Sequence, residues 1–260
     1  MVLVPDNLVE HYYHFLFDLA LPLYLVLQEA ADRTTFVVGT TPSPFLPRLN
    51  QLFGSRVSVE RRQARIVNPG DHVLLGMNPF LVNVTGREVL PFAQHVRSVV
   101  GIDAGAHPPN IVMLIERLPP RGFFVDGAVK PGGGASRRHI PNHEALKERV
   151  AASVRPPFEF RNVRLEDMPF EEQVQLFARA AVVIGQHGAG LANCLWMPPG
   201  SMLVELSNEP DKSHFRRIAA VMGHEYLLHA TEGAHTAVDV SRLVDQLTRE
   251  PALSHVFRRA

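Results

Sequence analysis

The sequence predicts an α/β protein built on parallel sheets, and three observations predict it. Residues 181–206, AVVIGQHGAGLANCLWMPPGSMLVEL, read as a buried strand, a glycine-containing loop, a helix and a second buried strand. From 111 to 249 strand patterns alternate with helical ones, as a doubly wound parallel sheet demands. The stretch 102–110, with Gly105, Pro108 and Pro109, reads as a linker between a smaller N-terminal α/β domain, 1–105, and a C-terminal one, 106–260. Apolar residues make up 46% of the 260, enough for a core in each half.

In the first half, residues 7–30 carry Leu8, His11, Tyr12, Phe15, Leu19 and Leu23 at helical steps, a pattern that Pro22 should kink or divide. A short strand follows at 35–38. Residues 45–53 read as a helix with Gly54 as its C-terminal cap. Further short strands are expected at 56–59, 64–67 and 72–75, and a helix at 88–100 ended by Gly101.

The second half opens with a strand at 111–115. Residues 119–136, containing Pro131-Gly132-Gly133-Gly134, read as a mobile loop. Asn142 caps a helix running to 154 whose inward face is Leu146 and Val150. A strand at 158–163 precedes a helix opened by Pro169, with Glu171 and Glu172 in its first turn, and running to 180. After the 181–206 unit, Asp211 caps a helix over 212–222, Gly223 ends it, and a strand at 226–228 and a helix at 240–249 close the chain. No repeat or low-complexity run is present.

Composition narrows the function classes. Twenty-six basic residues against 26 acidic ones argue against a broad nucleic-acid-binding face. The single cysteine, Cys194, allows no intrachain disulfide and fits a reducing compartment. The apolar stretch 15–27 is interrupted by Asp18 and Pro22, is too short to span a bilayer and has no basic leader. No signal peptide or transmembrane helix is therefore expected, and the chain reads as cytoplasmic, with peripheral membrane attachment as the most it would show.

The chemistry concentrates in the loop Gln186-His187-Gly188-Ala189-Gly190. A right-handed crossover places this loop at the carboxyl ends of two parallel strands, where ligands bind open α/β sheets. Gly188 and Gly190 let a ligand approach the backbone, and the N–H groups opening a helix attract an anion such as a phosphate. His187 stands beside that site with a proton that shifts near neutral pH. Glu205, at the end of the next strand, is placed to accept hydrogen bonds from a ribose or sugar hydroxyl. Close packing alone would also explain the glycines. The loop is neither a P-loop nor a G-x-G-x-x-G turn.

Other constellations are weaker. Arg117, Arg137 and Arg138 flank the loop at 119–136, either as an anion site or as a solvated basic turn. His11, His14 and Asp18 share a helix face; a zinc site there lacks a further ligand at the right spacing, leaving a proton-transfer pair or a structural hydrogen bond. Cys194 is two helical turns from His187, too far for a thiol nucleophile, and no Gly-x-Ser-x-Gly elbow is present. No Asp-x-Asp follows a buried strand, so no metal is expected. His214, Arg216 and Arg217 either reach a nucleotide from the next helix or form a solvated face.

HGAGLANCLWMPPGSMLVEL resembles the signature segment of glycosyltransferase family 61, the group of plant β-1,2-xylosyltransferases, the EGF-domain O-GlcNAc transferase and bacterial capsule-biosynthesis proteins. The resemblance extends to Leu114-Ile115-Glu116-Arg117, to 136–144 with Arg137, Arg138, Asn142 and Glu144, to Leu165-Glu166-Asp167 with Pro169-Phe170-Glu171-Glu172-Gln173, and to Tyr12-Tyr13-His14 with Phe15 and Asp18. It covers most of residues 7–230, and the motifs stand in the family's order.

The resemblance implies a GT-B-like fold: two Rossmann-like domains with a cleft between them, here with a small N-terminal one. It implies an inverting, metal-independent transferase, without cofactor, that moves a sugar from a nucleoside diphosphate, UDP first, to a hydroxyl of a glycan or cell-surface polysaccharide. Donor binding would fall to Arg117, Arg137, Arg138, His187, Gly188, Ala189, Gly190, Leu191, Asn193 and Glu205, and catalysis to His187 with His14 or Asp18 as the base; the sequence does not choose between the last two. With little chain ahead of the Tyr-His helix, a homodimer or a partner is expected to complete the acceptor surface. The Arg- and Ala-rich composition points to a bacterial member. A second reading makes the chain a catalytically silent nucleotide- or glycan-binding subunit of a polysaccharide assembly complex. An epimerase is disfavoured, since neither Tyr-x-x-x-Lys nor a dinucleotide fingerprint is present.

Overall fold

A computed structural model of the chain describes residues 2–4, 11–29, 34–38, 45–61, 73–74, 85–102, 108–117, 138–211 and 214–258. The chain divides into two compact units, Met1–Gly101 and Ile102–Ala260. Each is built around an all-parallel sheet. The strand expected at 64–67, the loop expected at 119–136 and Arg137 lie outside the described residues, as does most of the linker.

In the first unit the strand order is β3-β2-β1-β4, with β1 (Val2–Val4), β2 (Thr34–Val38), β3 (Val57–Arg61) and β4 (Val73–Leu74). Leu3 pairs with both Val37 and Leu74, so this very short apolar run lies inside the sheet rather than at its edge. Three residues carry no period, and the sequence reading passes over this strand.

The first helix, α1, runs through Tyr12–His14, a π-helical stretch Phe15–Ala20, and Leu21–Glu29. Pro22 is expected to kink or divide it. Instead the turn before the proline widens, and Leu21 N–H reaches Leu16 O. The physical reason is that Pro22 offers no N–H and its ring crowds the carbonyl four residues back, which a wider turn relieves without ending the helix. Helices α2 (Leu46–Phe53) and α3 (Gly86–Val99) follow. Gly54 ends α2 at φ 58°, as a C-terminal cap requires, and Thr85 with Glu88 forms a capping box at α3. Phe15, Leu19, Leu23, Leu49, Phe92 and Val96 are buried.

The second unit has strand order β6-β5-β7-β8-β9: β5 (Ile111–Ile115), β6 (Glu159–Val163), β7 (Ala180–Gln186), β8 (Met202–Ser207) and β9 (Glu225–Ala230). Its helices are α4 (His143–Ser153), α5 (Phe170–Phe177), α6 (His214–Met222) and α7 (Val240–Arg249). Val112, Leu114, Val182, Ile184, Met202, Val204 and Leu206 alternate onto one sheet face, covered by α4 and α7 through Leu146, Val150, Leu243 and Leu247. The other face takes a 3-10 helix, Ala189–Trp196, with α5 and α6 packed on it. The strand order reverses between β5 and β7, so a crevice is set at their carboxyl ends.

Several local expectations shift. Asn142 stands at the N-cap of α4 but makes no cap bond; its side chain closes a two-way bridge to the backbone of Val238, both bonds at 2.9 Å. The helix opened at Pro169 stops at Phe177, because Ala180 already pairs with β5. The strand expected at 226–228 runs Glu225–Ala230, since β8 offers pairing partners to Ser207. α6 is described from His214 onward; residues 212–213, at which the expected cap by Asp211 would act, lie outside the described residues.

Candidate functional site

β7 delivers His187 to the crevice. Its N–H is still held by Leu206 O at 2.9 Å, so the loop begins from a fixed point. In the register, Gly185 faces Glu205, and Glu205 faces Leu228. Side chains two residues apart share a face, so His187 and Tyr226 flank Glu205 on the same side of the sheet. The contacts agree. His187 Nδ1 bonds Glu205 Oε1, and Tyr226 OH donates to Glu205 Oε2 at 2.7 Å. Gly185 is needed there: a Cβ would lie 2.8 Å from Leu191 Cδ2 and 3.1 Å from Ile115 Cδ1.

Glu205 is fully buried in a strand that is apolar apart from it and the terminal Ser207. Its place at a strand end suggests a ribose or sugar hydroxyl as its partner; the structure instead commits both of its oxygens within the protein. With Glu205 accepting, the proton sits on Nδ1 of His187, and Nε2 is the nitrogen left for another partner. Burial first, then the Glu205 carboxylate, push the Tyr226 hydroxyl well up, so the phenol stays a donor. The His187 ring lies 5.6 Å from that of His214 and 5.2 Å, edge on, from that of Phe215. Arg216 sits 5.5 Å above the Tyr226 ring. His214 and Arg216, a nucleotide contact or a solvated face by sequence, thus lie against the histidine and the tyrosine.

Across the strand-order reversal, Arg117 follows β5 and donates from Nη1 to the His187 carbonyl at 3.3 Å. Burial pulls its guanidinium below the usual range, Glu166 opposes this, and the like charge of Arg138 adds to it. Glu116 beside it is held by Asn162 Nδ2 at 2.6 Å and by Arg164. Arg138 pairs with Glu209 at 2.6 Å, yet its Nε is buried without a hydrogen-bond partner among the described residues. Two guanidinium groups close enough to repel, one largely desolvated, are an arrangement that an anion relieves.

Between them lies the glycine loop. A Cβ on Gly188 would collide with Arg117 Nη1. The helix expected after the glycine loop is a 3-10 helix, Ala189–Trp196. The reason is visible along one face: Asn193 Nδ2 bonds Gly190 O at 3.2 Å, and Trp196 Nε1 donates to Asn193 Oδ1 at 2.9 Å, a three-residue repeat that suits three residues per turn. Leu191 N–H to Gly188 O is the first bond of this turn, and the N–H groups of Gly188, Ala189 and Gly190 precede it. Asn193 and Leu191, both expected to contact a donor, are buried; Asn193 also bonds Gln173 Oε1 at 3.0 Å. Their side chains shape the loop from beneath.

In the first unit, His14 Nδ1 bonds Asp18 Oδ2 at 2.6 Å. The Asp18 side chain is 1% exposed and that of His14 33%, so His14 is the member that meets solvent. Asp18 stands in the π-helical stretch, where such turns often mark a site. Cys194 is buried, which pushes its thiol up, with Glu205 adding to the effect; it has no thiolate character. Among the described residues, no group of three or more His, Cys, Asp or Glu side chains is placed to hold a metal, and no helix is long and apolar enough to cross a membrane.

Tyr226 is absent from the site that the sequence predicts. The signal available was a carboxylate inside the apolar run MLVEL, which cannot be buried without partners on neighbouring strands.

The Glycosyltransferase 61 family model matches residues 12–204. The chain is 34% identical over 88 residues to a β-1,2-xylosyltransferase of Arabidopsis thaliana, covering 34% of this chain and 16% of that protein. It is 28% identical over 89 residues to an EGF domain-specific O-linked N-acetylglucosamine transferase of Drosophila melanogaster, covering 34% of this chain and 17% of that protein. It is 37% identical over 65 residues to a protein O-linked-mannose β-1,4-N-acetylglucosaminyltransferase 2 of Tetraodon nigroviridis, covering 24% and 11%. The chain thus matches less than a fifth of the length of each relative.

Proposed function

Because the chain belongs to glycosyltransferase family 61, we propose that it moves a sugar from a nucleoside diphosphate, UDP first, to a hydroxyl of a glycan or cell-surface polysaccharide. The observation that carries this reading is the meeting of Arg117, the glycine loop and His187 at the strand-order reversal, with the charge of Arg138 felt at Arg117. As the bond from the anomeric carbon to the diphosphate breaks, its electron pair passes to a phosphate oxygen. Guanidinium groups, loop N–H groups and the Nε2–H of His187, the second proton of an imidazolium whose Nδ1–H is held by Glu205, offset that charge. In this reading they take the place of a divalent metal.

The two units then act as the halves of a GT-B enzyme, the donor on Ile102–Ala260 and the acceptor offered by Met1–Gly101. His14 is the base. Its second ring nitrogen takes the acceptor proton while the acceptor oxygen bonds the anomeric carbon from the face opposite the diphosphate, which inverts the configuration. Asp18 holds the ring by Nδ1 and offsets the charge it acquires. The relatives' names, a xylosyltransferase and two N-acetylglucosamine transferases, put pentosyl and N-acetylhexosaminyl donors first for testing.

A thermal-shift series with UDP, GDP, CMP and their sugar conjugates, with and without EDTA, tests the reading. A ligand at one hundred times its Kd stabilises the native state by about 2.7 kcal/mol. Stabilisation by one nucleotide, unchanged by EDTA, is expected. Stabilisation that EDTA abolishes removes the metal-free mechanism, and no shift with any nucleotide removes the reading.

A further inference from the structure

We propose that Tyr226 and Glu205 are positioning residues that fix the ring and the proton of His187, so that Nε2 alone is turned to the leaving group. The catalytic meaning of this relay rests on the transferase reading; the relay itself does not. It is carried by geometry from three parallel strands. Glu205 bonds His187 Nδ1 with one oxygen and receives the Tyr226 hydroxyl at 2.7 Å on the other. The carboxylate is fully buried, so each oxygen needs a donor, and the two donors it has lie on β9 and just beyond β7. Neither can turn away without stranding a charge in the core.

The remaining contacts close the ring's other freedoms. Phe215 meets the imidazole edge on at 5.2 Å, and His214 lies 5.6 Å from it. Arg216 over the Tyr226 ring holds the phenol from the same helix. Gly185, directly opposite Glu205, leaves the space in which Leu191 and Ile115 pack. A histidine that only filled the core would need no carboxylate behind it and no phenol behind the carboxylate.

The relay makes a prediction that a purely structural contact does not. Removing the phenol leaves the carboxylate to His187 alone, which strengthens its pull on the Nδ1 proton. Replacing the carboxylate by an amide weakens that pull. The two changes therefore move the Nδ1–H resonance in opposite directions, whereas simple loosening moves both the same way.

The test is the imidazole 15N–1H spectrum of the full chain without ligand, compared among wild type, Tyr226→Phe and Glu205→Gln. The wild type should show His187 protonated on Nδ1 with a deshielded Nδ1–H. That signal should move further downfield in Tyr226→Phe and upfield or vanish in Glu205→Gln, while the His14 signals stay in place. A wild-type His187 protonated on Nε2 alone overturns the relay, as does a Tyr226→Phe spectrum in which His187 does not move; the latter variant decides the matter by itself if Glu205→Gln does not fold. UDP titrated into the same samples separates the two ideas. Ring signals that move as stated without UDP binding leave the relay standing and remove the transferase reading, and UDP binding with unmoved ring signals does the reverse.

Discussion

Gly188→Ala adds one methyl group at the point where the site can least accept it. The new Cβ would overlap Arg117 Nη1 and lie 3.3 Å from Arg117 Cζ, so the guanidinium must withdraw from the loop. What it gives up in the free protein is one 3.3 Å hydrogen bond to the His187 carbonyl. A bond of that length contributes less than about 1 kcal/mol, and in a chain of this size Tm should fall by no more than about 2–4 °C. What it gives up in the complex is larger. One charge-assisted hydrogen bond to a phosphate contributes about 1.5–3 kcal/mol, and at about 1.4 kcal/mol per factor of ten the Kd for UDP should rise about 10- to 150-fold. Isothermal titration of UDP into wild type, Gly188→Ala, Arg117→Ala and the double variant reads this out. Both substitutions act through one guanidinium, so the double variant should bind as Arg117→Ala does. Wild-type affinity in Gly188→Ala, or effects that add to within about 0.5 kcal/mol, would refute the reasoning.

Three further outcomes follow from the same geometry. Glu205→Leu strands His187 Nδ1 and Tyr226 OH together and should lower unfolding free energy by about 3 kcal/mol or more in urea, against about 1 kcal/mol for Tyr226→Phe; a Leu variant as stable as wild type would contradict the burial argument. Asp18→Asn keeps the shape of the dyad but removes the charge behind His14, so kcat should fall about 100-fold with donor KM unchanged, and a change confined to donor KM would remove His14 from the base's role. Burial holds His224 below its ordinary value of 6.5, while its bond to Cys194 O at 2.9 Å acts the other way. The unfolded chain therefore takes up this proton first as pH falls, so its contribution is intact above pH 6.5 and declines below it. Urea midpoints between pH 7.5 and pH 5 should fall less in His224→Gln than in wild type, and parallel profiles would refute the assignment.

Much of this fold is legible in the order of the amino acids. The 181–206 unit, the alternation from 111 onward and the place of His187 in the glycine loop follow from period and punctuation, because buried parallel strands are written as apolar runs and their loops as glycines, whereas Arg117 is singled out by the family resemblance. What is not legible depends on partners distant in sequence. β1 is three residues without a pattern and is a strand only because β2 and β4 lie on either side. Asn142 reads as a cap until Val238, almost a hundred residues on, takes its side chain. Glu205 reads as a ligand group because a strand's end is where ligands bind; only the register of β7, β8 and β9 shows that His187 and Tyr226 reach it first. Which of His14 and Asp18 meets solvent is likewise not written in the sequence; burial places the carboxylate inside and the imidazole partly outside.

In the proposed transferase the loop 187–190 and Arg117, at the reversal between β5 and β7, hold the donor diphosphate. The structure of the complex with UDP tests it most directly. Phosphate oxygens are expected within hydrogen-bond distance, about 3 Å, of the Gly188–Gly190 backbone N–H groups and the Arg117 guanidinium, with His187 Nε2 facing them. A nucleotide seated elsewhere on the chain, with Arg117 and the loop untouched, would contradict it.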